Sequence, residues 1–275
     1  MHIQRIAAFS LDGAGGNPAG VVVTDALPSA DKMQKIAADV GYSETVFAAP
    51  EGEGYRVRYF APQGEVAFCG HATIALGAAL GAAEGAGTYP LALNDADITV
   101  EAFRSGSAWA ARLSSPPTRQ EPAPDSLKAD VLALFGWTGQ DLDSALEIKL
   151  VEGGARHLLV PLRTHGLLRD MSYDFDAGAA LMQAHSLVTI NLVYRQDVQT
   201  VYSRNAFAGH GVYEDPATGA AGAALAGYLR DSGRGETPFT IYQGQDMEMP
   251  SRLVVTPAAG KGARVVVEGE TRQIA

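Results

Sequence analysis

Short runs of alternating apolar and polar residues, separated by glycine and proline, dominate the first quarter of the chain. This two-residue period is typical of half-buried β-strands. It predicts four strands in this region, at Ile3–Phe9, Val21–Thr24, Thr45–Ala48 and Tyr55–Phe60. Further along, Ile98–Phe103 and Trp109–Leu113 predict the two arms of a hairpin.

The period of an α-helix occurs in fewer places. Apolar residues recur at helical spacing between Ser29 and Gly41, which predicts a helix capped by the serine and ended by the glycine. The same pattern predicts a helix over Ser126–Phe135 with Gly136 as its stop. A further helix is predicted near Ala177–Ala184.

Two segments rich in small residues share one design. CGHATIALGAAL begins at Cys69, and EDPATGAAGAALAGYL begins at Glu214. In each, a polar group beside glycine or proline precedes a run of Ala and Gly at helical spacing, so that backbone N–H groups at the start of a helix can hold an anion. Small side chains also allow a helix to run close to the strands of a curved sheet. The repetition predicts two similar halves that share one ligand.

The second half of the chain returns to strand-like runs. These are Ile148–Val151, His157–Leu162, Thr189–Tyr194, Val201–Phe207, Phe239–Gln243, Leu253–Thr256 and Arg264–Glu268. Because strands outnumber helices and no βαβ rhythm is sustained, the pattern favours an α+β fold. The proline-rich segment Ser114–Pro124 is predicted to be a linker. We therefore expect an N-terminal half over 1–115, a C-terminal half over 120–262, and a last strand near 263–275 that returns to the first half.

Composition excludes several classes of function. The chain has 275 residues, 47% of them hydrophobic, and a formal net charge of −10, which argues against nucleic acid or an anionic membrane as partner. No apolar run approaches the roughly 18 residues that a membrane span needs, and the N-terminus lacks the pattern of a signal peptide. One cysteine cannot form an internal disulfide or a cysteine cluster. These features predict a cytoplasmic protein.

Three ionisable residues have settings that suit chemistry. Glu44, between Tyr42 and Phe47, is either a partly desolvated acid/base group or a strand residue that faces water. His71 at a helix start is either a neutral hydrogen-bonding group or a packing residue, and the absence of a second histidine one turn away predicts no metal site there. Asp215 is either a functional carboxylate or an ordinary cap before a helix.

Other candidates have weaker support. Cys69 is either a reactive thiolate or a small buried residue, with burial favoured. The pair Arg156–His157 is either a donor pair for a substrate or a strand entrance, with the second favoured. A Ser–His–Asp hydrolase built from Ser43, His71 and Asp215 is disfavoured, because alternation along a strand would send Ser43 and Glu44 to opposite faces.

Five segments together resemble the phenazine-biosynthesis isomerase family known as PhzF. In chain order they are G-N-P-A-G at Gly16–Gly20, S-E-T-V-F at Ser43–Phe47, C-G-H-A-T at Cys69–Thr73, E-D-P-A-T-G at Glu214–Gly219 and Q-G at Gln243–Gly244. The resemblance implies the fold of diaminopimelate epimerase, with two pseudo-symmetric halves, each a curved sheet wrapped around a central helix. It also implies a homodimer that uses no metal and no organic cofactor.

The resemblance also assigns roles to residues. It implies that Glu44, His71 and Asp215 are catalytic. It further implies the following set of substrate-binding residues: Asn17, Gly70, Ala72, Thr218, Gly219 and Ala220. Ala220 stands where phenazine-pathway members have serine, and Glu248–Ser251, followed by Arg252, replaces their usual G-R-P-S segment.

The reaction class predicted from these residues is a cofactor-independent isomerisation. One carboxylate would remove a proton from carbon and return it elsewhere on a small, carboxylate-bearing metabolite. Two alternatives stay open: an epimerase or racemase of a small amino or hydroxy acid, and a small-molecule binder that has lost turnover.

Overall fold

The structure, a computed structural model, describes residues 1–275. It contains six α-helices and seventeen β-strands. The chain divides into two compact units. The first unit consists of Met1–Ser114 together with Glu268–Ala275, and the second unit is the continuous segment Ser115–Val267. None of the helices combines the length and the apolar character needed to cross a lipid bilayer.

The first unit has eight strands of its own and two helices. The strands are β1 (Gln4–Ser10), β2 (Asn17–Val23), β3 (Thr45–Glu51), β4 (Gly54–Ala61), β5 (Gly64–Val66), β6 (Gly87–Ala92), β7 (Asp97–Ser105) and β8 (Ala108–Ser114). The helices are α1 (Ala30–Val40) and α2 (Gly70–Glu84). Strands β2 and β3 are parallel and joined through α1, and β4 and β6 are parallel with α2 between them in the chain. The remaining neighbours, such as β1 with β2 and β3 with β4, are antiparallel.

The second unit has eight strands and four helices. The strands are β9 (Arg119–Pro122), β10 (Lys149–Glu152), β11 (Arg156–Leu162), β12 (Thr189–Arg195), β13 (Thr200–Ala206), β14 (Glu214–Asp215), β15 (Phe239–Gln243) and β16 (Ser251–Pro257). The helices are α3 (Asp125–Phe135), α4 (His165–Arg169), α5 (Phe175–Ala184) and α6 (Gly219–Asp231). The last strand, β17 (Val265–Gln273), runs from the end of the second unit into the first, where its residues 270–273 pair with β1.

The order of connections is the same in both units. In the second unit β11 and β12 are parallel across α4 and α5, β12 and β13 are antiparallel, and β13 and β15 are parallel across α6. In the first unit β2, β3, β4 and β6 follow the same sequence of pairings around α1 and α2. This repetition confirms the predicted α+β fold with two similar halves.

Helix α2 is buried along nearly its whole length, which explains its run of small residues. A Cβ atom added at Gly77 would lie 2.6 Å from Cγ2 of Val100, and one added at Gly81 would lie 2.8 Å from the Trp109 ring. Strands β7 and β8 therefore approach the helix backbone too closely for larger side chains. In α6, Gly222 has a similar role, because its added Cβ would lie 3.1 Å from Ile241.

Helix α1 shows how a surface helix is fixed in the same unit. It buries Met33 and Ala37 against Val22, Phe47 and Phe60 of the neighbouring strands, as its apolar stripe predicts. It ends at Gly41, whose φ of 73° is the left-handed conformation that favours glycine. The predicted cap differs in detail, since Ser29 occupies the N-cap position and makes no capping hydrogen bond with its side chain.

The segment predicted to be a linker contains strand β9. Its residues pair antiparallel with β10, so that Pro122 lies opposite Lys149 and Arg119 lies opposite Glu152. Prolines at the end of a short edge strand are compatible with this pairing, because they donate no ladder hydrogen bond. The segment Ser114–Pro124, predicted to be a linker, therefore contains a short strand that the prediction missed.

Candidate functional site

Four polar side chains converge at the start of α2 in the first unit. Nε2 of His71 lies 3.4 Å from a carboxylate oxygen of Glu44 and 3.4 Å from the hydroxyl of Ser43. On the other side of the imidazole, Nδ1 lies 3.3 Å from Sγ of Cys69. Three of the four residues are largely buried, with 8% of Cys69, 8% of His71 and 18% of the Glu44 side chain exposed. The cluster thus joins a carboxylate, a hydroxyl, an imidazole and a thiol in a partly dry site.

Ser43 and Glu44 reach the same ring nitrogen, which contradicts the expectation that they lie on opposite faces. Strand β3 begins only at Thr45, so strand alternation does not apply to the two residues before it. The structure nevertheless gives the hydrolase no support within this cluster. In a hydrolytic triad the carboxylate holds Nδ1 while the serine contacts Nε2, whereas here both groups face Nε2 of His71.

The segment G-N-P-A-G determines where β3 begins. It forms the start of β2 rather than a loop, and Gly20 lies beside Thr45 in the parallel pair. A Cβ atom added at Gly20 would lie 2.6 Å from Oγ1 of Thr45, and the Gly20 N–H donates to the Glu44 carbonyl over 3.2 Å. The absence of a side chain at Gly20 thus allows β3 to lie close enough to place Glu44. Asn17, at the beginning of β2, is buried.

His71 is neutral at physiological pH because it is buried. Desolvation lowers the pKa of His71, while the Glu44 carboxylate and a hydrogen bond to the Pro18 carbonyl oppose that shift. A neutral imidazole has one N–H donor and one acceptor nitrogen, so it can bond to a reacting group without adding charge. The sequence predicted a neutral histidine from its place at a helix start, and burial of the ring acts in the same direction.

The start of α2 offers backbone donors beside this cluster. Cys69 is the N-cap residue, and its carbonyl accepts hydrogen bonds from the N–H and the hydroxyl of Thr73. The N–H groups of Gly70, His71 and Ala72 have no carbonyl partner within the helix, as in the first turn of any α-helix. Together with the helix dipole, these groups favour a negative charge at this end of α2.

The second unit has its own polar cluster at the start of α6. Asp215 lies in β14, and its carboxylate accepts a hydrogen bond from the Thr218 hydroxyl. Nε2 of Gln243 donates to the Asp215 carbonyl over 2.7 Å, and its Oε1 accepts from the Thr218 N–H over 3.2 Å. Gly219 and Ala220 form the first turn of α6. Sequence analysis noted Gln243 only as part of a family segment and missed that it holds the Asp215 loop in place.

A buried chain of hydrogen bonds lines the strands of the second unit. The Thr189 hydroxyl donates to Oδ1 of Asn205 over 2.7 Å, so it accepts from Nδ1 of His157 over 2.8 Å. Burial lowers the pKa of His157 to about 3, which keeps the ring neutral. Nε2 of the same ring has no hydrogen-bond partner. Arg156 instead bonds to Glu121 at the surface, so the interpretation as a strand entrance agrees better with the structure than a donor pair.

The structure thus brings the sequence-predicted residues together in two groups. The first unit holds Glu44, His71, Gly70, Ala72 and Asn17, and the second unit holds Asp215, Thr218, Gly219 and Ala220. In the first group Glu44, Cys69 and His71 place one possible ligand atom each within 4.8 Å of one another. No local spacing rule could have found this triad, because Glu44 comes from a different element.

Comparison with known proteins gives a consistent result. A family model described as phenazine biosynthesis-like protein matches residues 6–274. A trans-2,3-dihydro-3-hydroxyanthranilate isomerase from Pseudomonas fluorescens is 32% identical over 274 residues, covering 96% of this chain and 94% of that protein. A protein named an uncharacterised isomerase, from Deinococcus radiodurans, is 29% identical over 278 residues, covering 95% and 88% respectively.

A solved structure shows the same fold. The crystal structure of a PhzF-family phenazine biosynthesis protein from Bacillus anthracis matches with a TM-score of 0.87 at 21% sequence identity. The match covers 99% of this chain and 96% of that chain. At this level of identity the likeness concerns the fold, and it agrees with the repeated order of strands and helices in the two units.

Proposed function

This chain is an isomerase that belongs to the phenazine biosynthesis-like protein family, and we propose that it moves a proton between two carbons of a small carboxylic acid. The observation that carries the proposal is the pair formed by Glu44 and His71, with the carboxylate 3.4 Å from the nitrogen of a buried, neutral imidazole. A carboxylate that can take up a proton and return it is the minimum that such a reaction requires.

Glu44 acts as the general base and then as the general acid. It removes a proton from a substrate carbon and returns the same proton to a second carbon on the same face. Its side chain is 18% exposed, so it is accessible to a ligand while most of its surface is shielded from water. The reaction is a 1,3-hydrogen shift with no net change of redox state, and so it needs no electron acceptor.

His71 orients the substrate and the base. Because the ring is neutral, it can donate a hydrogen bond to a substrate heteroatom from one nitrogen or accept one at the other, and no charge on the imidazole is needed. The first N–H groups of α2 hold the substrate carboxylate or the enolate-like charge that develops on proton removal. These donors lie beside Glu44 in the same unit, so charge develops next to a preorganised anion site.

The proposal also gives substrate-binding roles to the residues that the family resemblance marks in the second unit. Asp215 and Thr218 orient substrate heteroatoms, and Gly219 with Ala220 offers the N–H groups of α6. Support comes from the cluster in which Gln243 fixes both the Asp215 carbonyl and the Thr218 N–H. Ala220 offers no hydroxyl, and we therefore expect weaker binding of a substrate that needs a hydrogen bond at this position.

The substrate we propose to test first is trans-2,3-dihydro-3-hydroxyanthranilate, which the name of the Pseudomonas fluorescens relative provides. Purified protein is mixed with this compound and the ultraviolet spectrum is followed over time. We expect turnover by the unaltered protein and a loss of about 10³-fold in kcat for Glu44→Gln, because an amide cannot accept the proton.

The matched control for this experiment is Glu236→Gln, which makes the same chemical change at an exposed position. Its activity should equal that of the unaltered protein. Full activity in Glu44→Gln would remove Glu44 from the role of base. A folded protein with no turnover would exclude this substrate and direct the search to other small carboxylic acids, and solvent deuterium appearing at a retained stereocentre would identify an epimerase.

We also propose that the chain acts as a homodimer, as the family resemblance implies, and that it is cytoplasmic, as its composition indicates. Light scattering coupled to size-exclusion chromatography tests the oligomeric state directly. A mass near twice 28.8 kDa supports the dimer, and a mass near 28.8 kDa contradicts it.

A further inference from the structure

We propose that Cys69, His71 and Glu44 bind one zinc ion, and that zinc bound there inhibits the enzyme. The three side chains provide a thiol, an imidazole and a carboxylate, which are the ligand types that zinc uses in proteins. One possible ligand atom from each lies within 4.8 Å of the other two. The cluster was described above as part of the catalytic site, and a metal-binding capacity is a separate property of the same side chains.

The imidazole and the carboxylate are spaced for a tetrahedral zinc ion, and the thiol can join them after the Cys69 side chain rotates. Nε2 of His71 lies 3.9 Å from Sγ of Cys69 and 3.4 Å from Oε2 of Glu44. Zinc bonds of about 2.3 Å to sulfur and about 2.0–2.1 Å to nitrogen or oxygen imply separations of about 3.3–3.6 Å between ligand atoms. The observed nitrogen–oxygen distance already lies in this range. Sγ of Cys69 lies nearer Nδ1, at 3.3 Å, so the Cys69 side chain must rotate towards Nε2 before one ion can bind all three residues.

The charges of the cluster also suit a divalent cation. A neutral imidazole is the form of histidine that coordinates metal. Zinc would displace the proton of the Cys69 thiol, and the resulting thiolate and the Glu44 carboxylate would together balance its two positive charges. Desolvating a site without net charge costs little free energy, whereas desolvating the same cation with neutral ligands would cost much more.

The ligand set selects the metal. A thiolate with an imidazole favours zinc and cobalt over the harder ions magnesium and calcium, which prefer sites made of oxygen. Three protein ligands leave the fourth position to a water molecule, as in zinc sites that are open to solvent. The hydroxyl of Ser43, 3.4 Å from the same ring nitrogen, is placed to bond to such a water.

Inhibition is the expected consequence of this binding, and this part of the inference rests on the proposed function. Zinc would occupy the lone pair of Glu44 that the reaction needs, and it would fix the ring of His71. Zinc and substrate should therefore compete. The binding step itself does not depend on the identity of the substrate and can be measured without it.

Cobalt provides the direct test of binding, because its spectrum reports its ligands. The protein is first treated with a chelator and transferred to a buffer that contains no added thiol. Cobalt chloride is then titrated into it under argon. We expect one equivalent to bind, with a thiolate-to-cobalt charge-transfer band in the near ultraviolet and strong visible bands of tetrahedral cobalt. Calorimetry with zinc chloride in buffers of different ionisation enthalpy should show release of about one proton per zinc bound.

The variants separate this site from weak binding elsewhere. Cys69→Ala should abolish the charge-transfer band and weaken zinc binding at least 100-fold, and Glu44→Gln should weaken it at least 10-fold. The matched control is His2→Ala, which removes an exposed histidine and should leave the stoichiometry and the affinity unchanged. Near-ultraviolet circular dichroism and thermal melting establish that each variant is folded.

The outcomes test metal binding and inhibition separately. Unchanged zinc affinity in folded Cys69→Ala, or a cobalt complex without a charge-transfer band, overturns the site. Zinc that binds with the expected signature and leaves turnover unchanged overturns the inhibition alone. If the proposed substrate is not turned over at all, the cobalt spectrum and the proton release still decide whether the metal site exists.

Discussion

Two polar side chains approach the same ring nitrogen of His71. Glu44 and Ser43 both approach Nε2, and a neutral ring has only one hydrogen or one lone pair to offer at that atom. The two neighbours therefore compete for it, and a bound substrate can change which of them is bonded. In the proposed reaction, this competition would let the carboxylate of Glu44 exchange its partner as it gains and loses a proton.

The position of Glu44 depends on a single missing side chain. We predict that Gly20→Ala lowers the unfolding free energy by about 1–3 kcal/mol, because its Cβ would meet Thr45 at 2.6 Å and force β3 away from β2. The displacement would also carry Glu44 out of place, so kcat should fall along with stability. Urea denaturation and the spectrophotometric assay measure the two effects.

The control for this substitution is Gly87→Ala, in a strand of the same unit where an added Cβ has no neighbour within 4 Å. That variant should change stability by less than about 0.5 kcal/mol. A Gly20→Ala protein that is as stable and as active as the control would show that β2 and β3 can separate without moving the base.

At the scale of elements, the two helices rich in small residues restrict the packing most. Alanine normally stabilises a helix relative to glycine by about 1 kcal/mol. We predict the reverse for Gly77→Ala in α2, with a net loss of about 1–3 kcal/mol, because the new Cβ would lie 2.6 Å from Val100 and 3.0 Å from Ala111. Thermal and urea denaturation provide the measurement.

Gly166 in α4 offers the comparison, since it is an exposed helical glycine and an added Cβ would be 3.9 Å from its nearest neighbour. Gly166→Ala should stabilise the protein by about 0.5–1 kcal/mol. If both substitutions stabilised the protein equally, the close approach of β7 and β8 to α2 would not restrict the side chain at Gly77.

Elements with strong periodicity or clear stop signals were predictable from sequence. The helix ended by Gly41 and the hairpin of β7 and β8 were found because each depends on local pattern and turn residues. Strand β6, G-T-Y-P-L-A, and strand β9 were missed, because neither has a run of alternating apolar residues and both depend on their neighbours for pairing. Short strands of this kind are determined by tertiary pairing more than by their own composition.

The site was predictable in part for the same reason. Motifs identified Glu44, His71 and Asp215 as candidates, and their catalytic roles stay predictions. The contact of Ser43 with His71, the joint approach of Cys69 and Glu44, and the bonds of Gln243 depend on distances across elements, which a linear motif does not contain.

At the scale of the whole molecule, a buried histidine makes stability depend on pH. Histidine in the unfolded chain titrates near pH 6.5, whereas burial lowers the pKa of His157 to about 3 in the folded protein. The unfolded state therefore takes up a proton that the folded state cannot, and stability falls as the pH decreases from 6.5 towards 3. Between about pH 7.5 and pH 5, His157 should account for a loss on the order of 2 kcal/mol.

Urea denaturation of the unaltered protein and of His157→Gln at these two pH values tests this prediction. The variant is expected to be less stable at neutral pH, because it disturbs the bond to Thr189, but its stability should decline less on acidification. An equal decrease in unfolding free energy in both proteins would show that His157 does not cause the loss of stability at acid pH. His71 is present in both proteins, so its own contribution cancels.

The pairing of β1 with residues 270–273 has a consequence for the order in which the two units fold during synthesis. Residues 270–273 follow the whole second unit in the chain, so they are synthesised after it. The second unit is continuous over Ser115–Val267 and can fold as soon as that segment has emerged, whereas the first unit lacks the partner of β1 until residues 270–273 have emerged. The first unit therefore begins to be synthesised before the second unit and is completed after it.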